Sequence, residues 1–239
     1  MFFCKRRYYI LEINFRKMKS KKEISEIFDK IYKLYPNFKT ELFYKTPFQL
    51  VVAVIMSAQA TDKQVNKINK DFFEKVENPV DLEKLSLDEI ENYLKSLNYY
   101  KNKSKYIKNL SEILYRKYNS EIPNNLEILK TLPGIWIKTA KVILWILYDA
   151  PYIWVDTHIH RVTNRIGIVK TKTPEQTDRV LEKKLTLSQK RKMHHALVLF
   201  WRYICTAKKP KCLQCPVNNL CDYYSVISKA KAITSSSWA

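Results

Sequence analysis

The chain has 239 residues, of which only 2 are glycine and 5 are cysteine, and its formal net charge is +20 at pH 7. Two glycines exclude folds that need several residues with positive φ, such as Rossmann domains, P-loop enzymes and sandwiches of tight hairpins. The hydrophobic share of 46% excludes a wholly disordered chain, and the basic charge favours an anionic partner such as nucleic acid.

The two ends of the chain are interpreted as an N-terminal extension and a C-terminal tail outside the two domains. Residues 1–17 precede a second methionine, Met18, and form an extension that is either untranslated or disordered, while residues 226–239 form a tail. No apolar run approaches the roughly 18 residues of a membrane span, and the N-terminus does not match a secretory signal. We therefore expect a cytoplasmic monomer that is not bound to a membrane, in which cysteines serve as metal ligands rather than in disulfides.

Helix starts are marked by small polar residues that are followed three positions later by Glu or Gln, the capping-box pattern. The pairs are Ser20/Glu23, Thr61/Gln64, Ser86/Glu89, Asn124/Glu127 and Thr173/Gln176. Segments 48–56 and 137–148 are apolar on nearly all sides, which predicts buried helices. No Asn-Gly or Asp-Gly hairpin signal occurs. The sequence therefore predicts an all-α protein of about ten helices.

A tight turn is predicted at Leu132-Pro133-Gly134, between a short helix at 125–131 and the apolar helix at 137–148. This arrangement is typical of a helix-hairpin-helix, in which backbone N–H groups at the start of the second helix hold a DNA phosphate without reading sequence. Further along, Asp156 precedes another predicted helix and is placed to cap it.

Four cysteines follow in the pattern C-x6-C-x2-C-x5-C, and four thiolates in one short loop suit a soft metal centre. Structural zinc usually takes two Cys-x2-Cys pairs, whereas this loop has one, so the spacing favours a 4Fe-4S cluster over zinc. Three lysines in the same loop would face either a phosphate backbone or solvent. The cysteines are Cys205, Cys212, Cys215 and Cys221, and the lysines are Lys208, Lys209 and Lys211. The fifth cysteine, Cys4, is expected to be a small apolar side chain.

The order of these motifs resembles the endonuclease III family of DNA glycosylases. Residues 57–62 (Ser-Ala-Gln-Ala-Thr-Asp), Arg161-Val-Thr-Asn-Arg165, His194-His195 and Arg202-Tyr203 add to the resemblance, which spans roughly residues 18–225. It implies two helical domains: a six-helix domain at 40–149 with the hairpin, and an iron–sulfur domain made of 18–39 and 150–225. It also implies that double-stranded DNA binds in the groove between them, and that oxidised pyrimidines and abasic sites are flipped out of the stack.

The resemblance also implies roles for individual residues. Lys138 would attack the sugar C1′, release the base, form a Schiff base and then nick the strand by β-elimination. A helix N-terminus and some burial are expected to favour its uncharged amine. Asp156 would stabilise positive charge on the opening sugar and assist proton transfer. Gln59 would fill the gap left by the flipped base, Tyr99 would act as the wedge, and Gly134 with its neighbours would hold the phosphate.

Three family glycines are replaced here, by Asn98, by Trp136 and by the pair Phe200-Trp201. If position 136 needs a left-handed backbone, a tryptophan there costs roughly 1–2 kcal/mol, so weakened DNA binding with intact chemistry is expected.

Three alternatives stay open. One is a monofunctional glycosylase of the adenine-specific mismatch branch, which lacks the hairpin lysine. Another is a catalytically impaired iron–sulfur protein that binds DNA through the hairpin and the cluster loop. The third, an electron-transfer protein, is disfavoured because no flavin or nucleotide motif is found.

Overall fold

The structure, a computed structural model, describes residues 18–36 and 40–236. These residues form twelve α-helices and two short 3₁₀ helices and contain no strand, which confirms the predicted all-α fold. The extension 1–17, with Cys4, and the end of the predicted tail, 237–239, lie outside the described residues. No helix in the described part is long and apolar enough to cross a membrane.

The described residues divide into two compact units, and the first comprises residues 40–152. Its helices are α2 (Pro47–Ser57), α3 (Asp62–Lys75), α4 (Pro79–Glu83), α5 (Leu87–Leu94), α6 (Tyr100–Tyr118), α7 (Leu126–Leu129) and α8 (Ile137–Tyr148). Every residue from Phe48 to Met56 is buried, so the prediction of a buried helix there is confirmed. Only the middle of α8 is buried, because Ile137 and Tyr148 at its two ends are exposed.

The second unit comprises residues 18–36 and 153–236. Its helices are α1 (Lys21–Leu34), α9 (Thr157–Ile166), α10 (Pro174–Lys184), α11 (Leu187–Tyr203) and α12 (Asp222–Ser236), with 3₁₀ turns at Cys212–Gln214 and Asn218–Leu220. The apolar face of α1 packs into the core of this unit. The segment assigned to a tail is helical as far as Ser236, because α12 continues through it and buries Val226.

The predicted helix caps are mostly found. Ser20, Thr61 and Ser86 form complete capping boxes. Thr173 caps α10, but Gln176 accepts from the backbone N–H of Lys172 and not from that of Thr173. The cap of α7 is Asn125 and not Asn124, because the Asn125 side chain accepts the N–H groups of residues 127 and 128. Local polar pairs therefore decide where most of these helices begin.

Candidate functional site

The predicted tight turn lies between α7 and α8. The N–H of Ile135 donates to the carbonyl of Leu132 over 3.1 Å, and Gly134 has a φ of +75°. Proline at the second position and glycine at the third is the preference of a type II turn, since only the third position needs a positive φ. The turn therefore uses one of the two glycines of the chain, and it leads directly into the helix that carries Lys138.

Gly134 also lies close to a neighbouring helix. A Cβ atom at this position would come within 2.9 Å of the Tyr106 Cβ on α6. Gly134→Ala should lower the free energy of unfolding by about 1–3 kcal/mol, because it combines left-handed strain with this contact. Urea unfolding measures the change. Thr139→Ala on α8 is the control and should change stability by less than about 0.5 kcal/mol. Equal effects of the two substitutions would contradict the need for glycine.

Trp136 has an extended backbone, with φ −93° and ψ 170°, and serves as the N-cap residue of α8. The left-handed strain expected for this tryptophan is therefore wrong, because the residue that needs positive φ in this turn is Gly134. The Trp136 side chain is 72% exposed and makes no cap hydrogen bond. Because the first N–H groups of a helix lack intrahelical partners, the start of α8 can accept an anion.

Lys138 is the second residue of α8, as the hairpin pattern predicts. Its side chain is exposed, so the partial burial expected for it is not found. An exposed amine in the first turn of the helix can reach a bound substrate.

Gln59 lies in a strained turn at the end of α2. The N–H of Ala60 donates to the carbonyl of Ser57 over 3.1 Å, Ala58 has φ −58° and ψ 116°, and Gln59 has φ 55°. This is type II turn geometry with glutamine at the position that favours glycine. Non-glycine residues held with positive φ cluster at functional sites, and the Gln59 side chain is exposed.

Tyr99 also has a left-handed backbone, with φ 59° and ψ 28°, and it precedes α6 as its N-cap residue. Its ring is 63% exposed. The side-chain amide of the neighbouring Asn98 donates to the Gln59 carbonyl over 3.3 Å. The fold thus brings the predicted gap-filling and wedge residues together, through an asparagine that stands where the family has glycine.

Sequence reasoning missed Lys103, which is only 5% exposed. Its Nζ donates to the carbonyls of Met56 and Ala58 over 2.8 and 2.7 Å, and burial lowers its pKa. The sequence does contain a signal for this buried lysine. Lys103 lies at helical spacing before Ile107, Leu110 and Leu114, so the helical period places it on the buried face of α6.

Asp156 is the N-cap of α9, as its position predicts. Its Oδ1 accepts from the N–H groups of His158 and Ile159 over 2.9 and 2.8 Å. The flanking Val155 and Ile159 are buried, which fixes the backbone on both sides of the carboxylate. Both cap bonds use Oδ1, so Oδ2 takes part in neither. Asp156 belongs to the second unit and Lys138 to the first.

The four cysteines line one cavity, and all are half-buried and outside disulfides. Burial raises the pKa of Cys215 to about 11 and that of Cys221 to about 12, so iron must displace protons to bind these thiols. Residues 18–36 and 40–236 contain no group of three or more ligating side chains placed to hold a single metal ion. Four cysteines that line one cavity fit an iron–sulfur cluster, in which each thiolate binds its own iron.

Two arginines of α9 hold the chain beside these cysteines, and sequence reasoning gave them no role. Arg165 donates to the carbonyls of Thr206 and Ala207, both over 2.8 Å. Its guanidinium also lies 4.9 Å from the Tyr223 ring centroid, and Arg161 donates to the Cys205 carbonyl over 3.3 Å. The loop is thus fixed at its base, while Lys208, Lys209 and Lys211 are exposed on it.

Comparisons with known proteins agree with these features. Residues 52–186 match the HhH-GPD superfamily of base excision DNA repair proteins, and residues 205–221 match the iron–sulfur binding domain of endonuclease III. The second match confirms the predicted 4Fe-4S cofactor.

Relatives match over almost their whole length. The chain is 42% identical to endonuclease III of Rickettsia conorii over 84% of this chain and 96% of the relative. It is 40% identical to endonuclease III of Bacillus subtilis, over 84% of this chain and 92% of that relative. A non-covalent endonuclease III–DNA complex matches with a TM-score of 0.80 and 35% identity over 89% and 100% of the two chains. A trapped covalent endonuclease III–DNA intermediate matches with a TM-score of 0.79 and 36% identity. This match covers 87% of this chain and 98% of the solved chain. The chain therefore belongs to the endonuclease III family, within the HhH-GPD superfamily of base excision repair DNA glycosylases.

Proposed function

We propose that this glycosylase is bifunctional: it removes oxidised pyrimidines from duplex DNA and then nicks the strand as an apurinic/apyrimidinic-site lyase. The observation that carries the proposal is the exposed amine of Lys138 in the first turn of α8, directly after the hairpin turn. Chains of the monofunctional adenine-specific branch lack this lysine. The solved complexes that resemble this chain include a covalent enzyme–DNA intermediate, which is the type of species that a lysine nucleophile forms.

In the proposed reaction the Lys138 nitrogen bonds to C1′ of the flipped nucleotide while the bond from C1′ to the base breaks. The base leaves with a proton, and the opened sugar remains attached to the lysine as a Schiff base. Loss of a proton from C2′ then expels the 3′ phosphate, which nicks the strand. Covalent catalysis of this kind divides one difficult step into several easier ones.

Asp156 supplies a negative charge close to the reacting sugar in this proposal. Its Oδ1 accepts from two backbone N–H groups, so the carboxylate is oriented before substrate binds. A charge that is already oriented stabilises a transition state without the cost of reorganisation during the reaction. The carboxylate stabilises positive charge on the sugar as the base departs, and it moves protons between the amine, the sugar and the base.

DNA is held in the proposal by backbone groups, loop residues and basic side chains. The first N–H groups of α8, after Gly134 and Trp136, bind a phosphate. Gln59 occupies the gap left by the flipped base, and Tyr99 stacks as the wedge, a contact worth about 1–3 kcal/mol.

Cys205, Cys212, Cys215 and Cys221 would hold the 4Fe-4S cluster. Such a cluster would tie the four cysteines of the loop together and would supply a centre that accepts or donates one electron. The loop residues Lys208, Lys209 and Lys211 are then presented to the DNA backbone from a fixed base, because Arg165 holds residues 206 and 207.

Borohydride reduction on a duplex with one abasic site tests the lyase proposal, because reduction converts a Schiff base into a stable bond. We expect a covalent protein–DNA complex on denaturing gels, and strand nicking when borohydride is omitted. If the protein binds the duplex but is never trapped, it is a monofunctional or impaired member of the family.

The lysine loop makes a separate, salt-dependent prediction. Changing Lys208, Lys209 and Lys211 together to glutamine should weaken binding to an abasic-site analogue duplex and reduce the slope of log K against log salt by about 2–3, because each phosphate contact contributes about 0.9. Fluorescence anisotropy over a salt series measures the slope. The matched control changes three exposed lysines of α1, Lys21, Lys22 and Lys33, and should leave the slope unchanged. An unchanged slope in the loop variant, with iron content intact, would show that these lysines only face solvent.

A further inference from the structure

One buried lysine connects the two loops that the proposed function places on DNA. Lys103 lies one turn into α6, where its backbone N–H donates to the carbonyl of Tyr99 over 3.0 Å. Its side chain reaches the C-terminal end of α2, where Nζ donates to the carbonyls of Met56 and Ala58. The same residue therefore contacts the N-cap of α6 through its backbone and the end of α2 through its ammonium group.

The bond to Ala58 is the informative one. The Ala58 carbonyl belongs to the central peptide of the turn 57–60, which joins Ala58 to Gln59. Type I and type II turns differ chiefly by a flip of this central peptide, and after the flip the third residue moves from positive to negative φ. A buried ammonium on the Ala58 oxygen holds the peptide in the type II orientation, and that orientation keeps Gln59 at φ 55°.

The turn needs such support because its third residue is not glycine. A side chain at positive φ costs about 1 kcal/mol or more, so this turn by itself prefers the type I form. The Lys103 bonds oppose that preference. They are strengthened by burial and by the position of Nζ at the C-terminal end of α2, where the helix dipole favours a positive charge.

We propose that Lys103 is a positioning residue for DNA repair: by holding the Ala58–Gln59 peptide in the type II orientation, it keeps the Gln59 side chain poised to enter the DNA beside Tyr99. The inference rests on the proposed function, because it takes Gln59 as the residue that fills the gap. It also goes beyond that function, because Lys103 itself need not touch DNA.

The chain provides a matched control in Lys108, on the same helix. Its Nζ also donates to backbone carbonyls near a helix C-terminus, those of Leu82 and Leu85 around the end of α4. Loss of that ammonium should cost comparable stability without touching the turn at Gln59. A comparison of Lys103→Met with Lys108→Met therefore separates positioning from general stabilisation.

The first measurement needs no substrate. In isotopically labelled holoprotein, a type II turn places the Ala58 Hα close to the Gln59 amide proton and gives a strong nuclear Overhauser effect between them. We expect this signal to be strong in the wild type and in Lys108→Met and to be lost in Lys103→Met. Because two unpaired carbonyls can prevent folding, Lys103→Gln and Lys108→Gln are tested beside them, since glutamine keeps an N–H donor without the charge.

The second measurement uses a duplex with one thymine glycol and with 2-aminopurine beside the opposite base. In single turnovers at saturating protein, Lys103→Met should release the base about 10–100-fold more slowly and show a smaller rise of 2-aminopurine fluorescence, with the Kd changed less than about 3-fold. Lys108→Met should match the wild type in the rate of base release, in the rise of 2-aminopurine fluorescence and in the Kd.

Each outcome is decisive. Equal effects of the Lys103 and Lys108 substitutions on the turn signal and on base release would overturn the proposal, as would a turn signal that survives in Lys103→Met. If the wild type releases no base, the proposed function fails, but the nuclear Overhauser measurement still decides whether Lys103 sets the turn.

Discussion

Lys138→Ala is expected to abolish borohydride trapping and to slow base release from an oxidised-pyrimidine duplex by about 10⁴-fold or more, the scale of loss when an enzyme loses its nucleophile. The reason is chemical, because alanine has no nitrogen to bond to C1′ and water would have to attack in its place. Lys138 is exposed on the first turn of α8, so its removal should leave the melting temperature within about 1–2 °C. Single-turnover assays with excess protein measure the chemical step directly.

Two further variants separate chemistry from binding. Lys138→Arg keeps the positive charge but replaces the amine with a guanidinium that stays protonated, so it should bind the abasic duplex with nearly wild-type affinity and still fail to trap. Lys141→Ala, one turn further along α8, should trap normally. Trapping that survives in Lys138→Ala would assign the nucleophile to another amine, and the proposed mechanism would be wrong.

Cys221→Ser is expected to produce the largest loss of stability. Cys221 is half-buried and lines the cavity that the four cysteines share, and burial raises the pKa of its thiol to about 12. Binding free energy of a metal centre is folding free energy. We therefore expect iron to be lost and the second unit to lose at least about 3 kcal/mol of stability, which corresponds to a fall in melting temperature of about 6–12 °C for a chain of this size.

Iron and zinc analysis of protein purified without air, together with calorimetry, provides the measurement. Cys4→Ser serves as the control, since Cys4 has no predicted metal role, and it should keep full iron content and stability. Zinc in place of iron in the wild type would contradict the 4Fe-4S assignment. Full iron in Cys221→Ser would remove this cysteine from the proposed ligand set.

Local chemistry explains why much of the fold is readable from the sequence. Ser20, Thr61 and Ser86 each bond to backbone groups within three residues, so the start of the helix depends on neighbours that are visible in the sequence. The turn at Gly134 is likewise local, because Pro133 and Gly134 are the residues that a type II turn prefers at its second and third positions. The cysteine spacing is also local, because all four cysteines lie in one short loop.

Contacts between segments that are distant in the sequence decided the features that the sequence did not predict. The sequence left open whether position 136 also needs a positive φ, since a family glycine is replaced there, and the structure shows that Trp136 is extended. The sequence did not show that Lys103 would bond to Ala58, 45 residues earlier in the chain. It did not show that Arg165 would hold the cluster loop at residues 206 and 207.

The sequence by itself thus determined the all-α class, the tight turn at Gly134 and the spacing of the cysteine loop, because each depends on residues close together in the chain, whereas the roles proposed for Lys138 and Asp156 come from the family resemblance. Only the tertiary structure decided how Gln59 and Tyr99 are presented. Both left-handed backbones are unfavourable locally, and the turn that contains Gln59 accepts bonds from Asn98 and Lys103 at the carbonyls of residues 59 and 58. Such strain is held by groups far away in sequence, and no local pattern reveals it.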